Sequence, residues 1–271
     1  MRVLGRGEPH MVRVGDAVIA WREYGSAEGP PVVLLHSLGL DSDMWGPQLD
    51  ALADRYRLVV VDTRGHGASD APRGPYAVAD LAADILTVAD AAAVGRFHAV
   101  GLSLGGQMAL WLALHHAGRI RSLVLADTAA RIGTPAGWHQ RIELVKRDGM
   151  AGLRERLLGI WFTPGFVASD PACFAWAGDR LVSTPAHGYT GCCAALAGSD
   201  LRDRVAAVAV PTLVLVGEAD AATPPAEARW LADHIGDSRL GVLEGAAHIA
   251  NIEAAEAFSR MLRDFLDEQP V

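Results

Sequence analysis

Cysteine is scarce in this chain: three in 271 residues, at Cys173, Cys192 and Cys193. The number is odd, two of the three are adjacent and no C-x-x-C pair occurs, which excludes a disulfide framework and a cysteine zinc site. A reducing compartment is the default, and the cytoplasm is the expected location. Positive charge is also short, with 24 Lys and Arg against 32 Asp and Glu and a formal net charge of −8. The acidic residues are spread along the chain, so electrostatics argue against nucleic acid as a partner. No segment offers the roughly 20 uninterrupted apolar residues of a membrane span, and the opening MRVLGRGEPHM lacks a signal-peptide core. Neither H-E-x-x-H, nor clustered ligand spacing, nor a phosphate loop is present, so no metal and no cofactor are expected. Internal repeats and low-complexity tracts are missing too.

What the chain does have is core. Hydrophobic residues make up 51% of it, enough for one substantial domain. Apolar runs rich in Val, Ile and Leu alternate with helical stretches, the pattern of an α/β fold with a largely parallel, doubly wound sheet. An antiparallel hairpin is expected at Met11 to Val14 and Ala17 to Tyr24, with buried strands at PVVLLH (Pro31 to His36) and LVVVD (Leu58 to Asp62). Residues 1–10 read as a loose extension or an alternative start. From Ala129 to about Ala206 the strand runs vanish and short helical pieces replace them, among TPAGW, WFTPGF, SDPACF and STPAHGY. The expected division is therefore a core of residues 1–128 and 207–271 with a helical cap at 129–206.

The stretch FHAVGLSLGGQMALWLALHH, Phe97 to His116, sets Ser103 between Gly101 and Gly105 where an apolar strand turns into a helix. That junction is a nucleophile elbow: the glycines permit a turn too tight for Cβ atoms, which lifts the serine hydroxyl above the sheet edge. The N–H of Leu104, at the helix start, is then a candidate oxyanion donor. A serine needs a base, and the base needs an acid to orient it. In the chain order Ser, Asp or Glu, His, both should leave the ends of later strands. Asp220 follows TLVLVGE and His248 follows LGVLEG, which makes them the expected acid and base. Asp127, at the end of the strand after the elbow helix, competes for the acid role. Its alternative is to shape the pocket.

The loop His36-Ser37-Leu38-Gly39 should supply a second oxyanion donor, the N–H of Leu38, with His36 as a structural hydrogen-bonder. In DTRGHGASD, Asp62 and Arg64 read as a pair that holds a loop, with His66 in a turn. His115 and His116 close the elbow helix, where positive charge suits the helix dipole, and take no catalytic part. Cys192 and Cys193 read as small packing residues.

The segments HSLGLDSDMW, DTRGHGASDAPRGPY, GLSLGG, LADTAARIGTPAGW, WFTPGF, GYTGCCAAL and EGAAHIANIE together resemble the 3-oxoadipate enol-lactonases of the α/β-hydrolase superfamily. TAARIGTP, WFTPGF and GYTGCC, in or beside the cap, carry the specific part of that likeness. The resemblance implies hydrolysis of 3-oxoadipate enol-lactone to 3-oxoadipate in aromatic catabolism. Its lactone substrate bears a carboxylate, which a closed pocket must meet with a cation or several donors. Arg131 in TAARIG is the first candidate for that cation, with Trp138 and Trp161 as apolar walls or ordinary cap packing. A carboxylesterase or a cofactor-free perhydrolase would use the same triad, and a small-ligand-binding protein without catalysis is the reading of another class. The sequence leaves oligomeric state open, a homo-oligomer included.

Overall fold

The computed structural model describes residues 8–270, so most of the question about residues 1–10 lies outside the described residues. Eight strands form one sheet: β1 (His10–Val14), β2 (Ala17–Gly25), β3 (Pro31–Leu35), β4 (Arg57–Val61), β5 (Phe97–Leu102), β6 (Ile120–Ala126), β7 (Thr212–Gly217) and β8 (Ser238–Leu243). Their order is β1-β2-β4-β3-β5-β6-β7-β8. The first two contacts are antiparallel and the remaining ones parallel. Strands β5 and β7 are buried along their whole length. That is why they read as unbroken apolar runs: helices cover both faces of a parallel sheet.

Helices α1 (Gly46–Leu52), α2 (Val78–Ala91) and α3 (Leu104–His115) connect the first strands. The start expected at Asp41 to Asp43 is a short 3-10 turn, in which the Asp41 side chain accepts from the Asp43 N–H, and α1 follows it. Chain order runs from β3 to β4 on one side and then to β5 on the other. The loops after β3 and β5 thus flank the point where the winding reverses, and ligands bind at such points.

Between β6 and β7 lie α4 (Pro135–Asp148), α5 (Arg154–Trp161), α6 (Pro164–Ser169), α7 (Pro171–Ser183) and α8 (Ala186–Ala197), with no strand. The TP and DP dipeptides of this region are helix starts. Thr134, Thr163 and Asp170 each accept a first-turn N–H through the side chain, and the proline takes the first helical position, where an N–H would lack a partner. Helices α9 (Pro225–His234), α10 (Ala250–Glu253) and α11 (Ala255–Asp267) complete the chain. Helix α11 buries Phe258, Leu262, Phe265 and Leu266 on one face, which is its amphipathic stripe. No helix among the described residues is long and apolar enough to cross a membrane.

Candidate active site

Ser103 sits between β5 and α3 with φ 57° and ψ −113°, a backbone state that non-glycine residues rarely adopt. The turn is held by close approaches. A Cβ on Gly101 would lie 2.1 Å from the Gly105 carbonyl oxygen, and one on Gly105 would lie 2.1 Å from that of Leu35. Side chains are excluded at both positions. The Ser103 N–H donates to the Ala126 carbonyl at 2.9 Å, and the Thr128 hydroxyl donates to the Ser103 carbonyl at 2.8 Å.

His248 Nε2 lies 3.0 Å from Ser103 Oγ, and His248 Nδ1 lies 2.9 Å from Asp220 Oδ2. With Nδ1–H given to the carboxylate, Nε2 is left to accept from the serine hydroxyl. Asp220 is itself held by three donors: the N–H groups of Ala222 and Thr223 on Oδ1, and the Thr223 hydroxyl on Oδ2 at 2.7 Å. Burial works to raise its pKa, but the His248 charge and the donated hydrogen bonds outweigh it and hold the carboxyl below its usual value. All three side chains are buried.

The competing acid, Asp127, is elsewhere occupied. Its Oδ1 accepts from the Gly217 N–H at 2.8 Å, while Oδ2 is buried without a hydrogen-bond partner. Full burial, aided by the nearby Asp220 charge, raises its pKa far above the carboxylate range.

Leu104 opens α3, so its N–H has no carbonyl one turn back to bond. In the loop after β3, the Ser37 N–H meets Met44 Sδ, the Gly39 N–H donates to His66 Nε2 and the Leu40 N–H donates to the Ser37 carbonyl. Leu38 lies between them and lines the same cavity as Ser103. His36 fills the structural role: its Nδ1 lies 2.8 Å from the Ser37 carbonyl and its Nε2 accepts from the Thr63 N–H. Burial lowers the pKa of His36, and that of His66 to about 3, so both are neutral fasteners.

The expected Asp62–Arg64 pair does not form. Arg64 instead makes a two-pronged bridge to Asp84, with both N–O distances 2.6 Å. Asp62 accepts the N–H groups of Ser42 and Ala68 and lies 3.7 Å from Arg22. The two side chains leave the loop in different directions, toward α2 and toward the β3–α1 segment.

A cavity of about 970 Å³ lies over Ser103 and His248. Trp138 and Trp161 both line it, as expected of apolar walls, and both are also buried cap residues. Arg131 does not. It lies 3.6 Å from Asp200, and the cavity's lining includes Arg141, Arg147 and Arg156 in its place. The reason is local: Arg131 precedes α4 and turns outward to the segment leaving α8, whereas Arg141 is three residues beyond Trp138 and shares its helix face. That spacing was the available signal for Arg141. Tyr189 in GYTGCC, fully buried and lining the cavity, was missed as well. Burial raises all three thiols, Cys173 to about 11 and Cys193 to about 12, so none is a nucleophile at neutral pH.

Comparison with known proteins agrees with this architecture. Residues 30–157 match the family model for the alpha/beta hydrolase fold, and residues 183–270 match one described as TAP-like protein. The chain is 36% identical over 244 residues to 3-oxoadipate enol-lactonase 2 of Acinetobacter baylyi, covering 90% of this chain and 91% of that one. Among solved structures, the enol-lactonase of Burkholderia xenovorans LB400 superposes with a TM-score of 0.93 at 39% identity, covering 96% of this chain and all of that one. An esterase of Thermogutta terrifontis, in a malate-bound structure, gives 0.91 at 28% identity, covering 97% and 99%.

Proposed function

The chain belongs to the α/β-hydrolase fold family and is a hydrolase of ester or lactone bonds, and from that premise we propose that it opens 3-oxoadipate enol-lactone to 3-oxoadipate through an acyl-enzyme on Ser103. The continuous hydrogen-bonded line from Ser103 through His248 to Asp220 carries this reading. Ser103 Oγ attacks the lactone carbonyl as His248 Nε2 takes its proton, and Asp220 stabilises the imidazolium that forms. The N–H groups of Leu38 and Leu104 receive the negative charge on the carbonyl oxygen. When the intermediate collapses, the ring C–O bond breaks and the enol oxygen leaves. An enolate is a comparatively good leaving group, and its protonation by His248 and ketonisation draw the step forward. Water, deprotonated by His248, then attacks the acyl carbon and returns Ser103 to its starting state.

The identity and coverage shared with enol-lactonases support the choice of a lactone over a simple ester, and a step in aromatic catabolism is part of the same proposal. The test is to assay the purified protein against the enol-lactone, p-nitrophenyl acetate and peracid formation. Lactone opening should dominate, and Ser103→Ala should lower it by at least about 1,000-fold. Rapid ester turnover without lactone opening would select the carboxylesterase reading. Full activity in the Ser103→Ala variant would remove the serine mechanism.

A further inference from the structure

We propose that Arg141 and the buried hydroxyl of Tyr189 form the anion-binding end of the cavity over Ser103, taking a carboxylate that the substrate carries apart from the bond being broken. The identity of the ligand rests on the lactonase reading; the chemistry of the site does not.

Three arginines face this cavity, and they are not equivalent. Arg147 is exposed and bound through both prongs to Asp148 at 2.8 Å. Arg156 is exposed as well. Arg141 is half-buried, and among the described residues it makes no ion pair with a carboxylate. Its guanidinium carbon stands 4.7 Å from the centre of the Trp138 ring, a cation–π contact that stiffens the side chain without using its N–H groups. Trp138 is fixed in turn, since its indole N–H donates to the Ile132 carbonyl at 2.6 Å.

Tyr189 approaches from the other side, on α8, which packs against α4. The residue is fully buried, lines the cavity and has a hydroxyl without a well-placed hydrogen-bond partner. Arg141 is close enough to act on Tyr189 both by its charge and by a loose side-chain hydrogen bond to the phenol oxygen, too poor in geometry to satisfy the hydroxyl, and its charge also reaches Cys193 one turn along. Burial raises the phenol's pKa, so it remains a donor. A buried hydroxyl that lacks a well-placed acceptor is costly, so a ligand that supplies one is favoured. One carboxylate would satisfy both groups, one oxygen toward the guanidinium and one toward the phenol. A neutral ester supplies neither acceptor and leaves the donors unpaired, which is how a site discriminates strongly. In the enol-lactone the carboxymethyl arm hangs from the enol carbon, across the ring oxygen from the carbonyl that Ser103 attacks, so the carboxylate reaches away from Ser103.

The experiment compares Arg141→Gln, Arg141→Lys, Tyr189→Phe and Arg156→Gln with the parent enzyme, using the enol-lactone and p-nitrophenyl acetate as substrates and adipate as a competitor of ester hydrolysis. Arg141→Gln should lower kcat/KM for the lactone about 100-fold more than for the neutral ester, mostly through KM, and weaken adipate inhibition by a similar factor. Tyr189→Phe should give a smaller differential of about 10-fold, Arg141→Lys an intermediate one, and Arg156→Gln none. Equal losses on both substrates, a differential carried by Arg156, or adipate that fails to inhibit the parent or inhibits Arg141→Gln just as well, would overturn the site. If the parent ignores the lactone while adipate inhibition still depends on Arg141, the anion site stands and the choice of lactone falls.

Discussion

Asp127 and Asp220 both follow buried strands at the same edge of the sheet, yet their surroundings shift their carboxyl pKa values in opposite directions. Asp220 has three donors and an imidazole to stabilise its charge; Asp127 has the Gly217 N–H on one oxygen and no hydrogen-bond partner on the other. The residue context after each strand pointed to Asp220 as the acid. What it could not reveal was that burial, with the Asp220 charge beside it, pushes the Asp127 carboxyl well above its usual pKa, because that depends on how residues far apart in sequence pack around it. Arg131 fails for the same kind of reason, since sequence names a cation but not the direction in which it turns. A carboxyl whose folded pKa is raised favours the native state below its unfolded value, near 4, and loses that contribution as pH rises toward the folded value. Asn mimics the protonated acid and has no such dependence. Asp127→Asn should therefore match the parent near pH 4 in urea denaturation and gain on it as pH rises, by up to about 1.4 kcal/mol per pH unit. A gap that narrows with pH would mean that Asp127 is ionised in the native state.

At the scale of elements, the elbow and the helix starts were legible because each is set by local chemistry: glycine where Cβ atoms collide, and Thr-Pro or Asp-Pro where a helix begins. How the cap meets the core was not, because it depends on residues far apart in sequence. Gln107 on α3 is an example. Its amide donates to the Ala129 carbonyl and accepts from Ser199 Oγ, so one buried side chain ties both crossings between core and cap. The glycines of GYTGCC and DTRGHG are another. A Cβ on Gly188 of α8 would lie 2.4 Å from Gly65 Cα, and one on Gly65 would lie 2.7 Å from Gly188 Cα. Backbone meets backbone there, with no flexible side chain to yield. Gly188→Ala should destabilise the protein by about 1–3 kcal/mol. Measured by thermal or urea unfolding, the Gly65→Ala, Gly188→Ala double variant should lose less than the sum of the singles, since both fill one gap. Simple additivity would show that the two glycines do not share a contact.

Over the whole molecule, the helices between β6 and β7 close the cavity by contacts that converge on the loops carrying His248 and Leu38. Glu253 accepts the N–H and hydroxyl of Thr163 at the start of α6 and, through its other oxygen, the N–H of Ala247, next to His248. The Ile249 N–H donates to the Trp161 carbonyl. On the opposite side Arg180 of α7 reaches Asp41 at 3.1 Å and Asp43 at 3.0 Å, just beyond the loop that carries Leu38. Leu181, the next residue, lies over Gly39, where a Cβ would stand 2.8 Å from its Cδ1. The Arg180 latch therefore bears on the proposed oxyanion loop as well as on closure. Its strength should vary with pH, because burial, and then the Asp43 charge, push Asp41 up to about 6. Above that value Arg180 offsets two charged carboxylates; below it, Asp41 binds a proton and needs the arginine less. In Arg180→Gln, hydrogen exchange across α7 should therefore quicken by roughly 5- to 10-fold at pH 8, about 1 kcal/mol for a partly exposed cluster. At pH 5 the increase should be smaller, and exchange in β5 and β6 should not change at either pH. The same acceleration at both values would show that Arg180 holds the cap by packing alone, and acceleration in β5 and β6 would show that cap and core open as one unit.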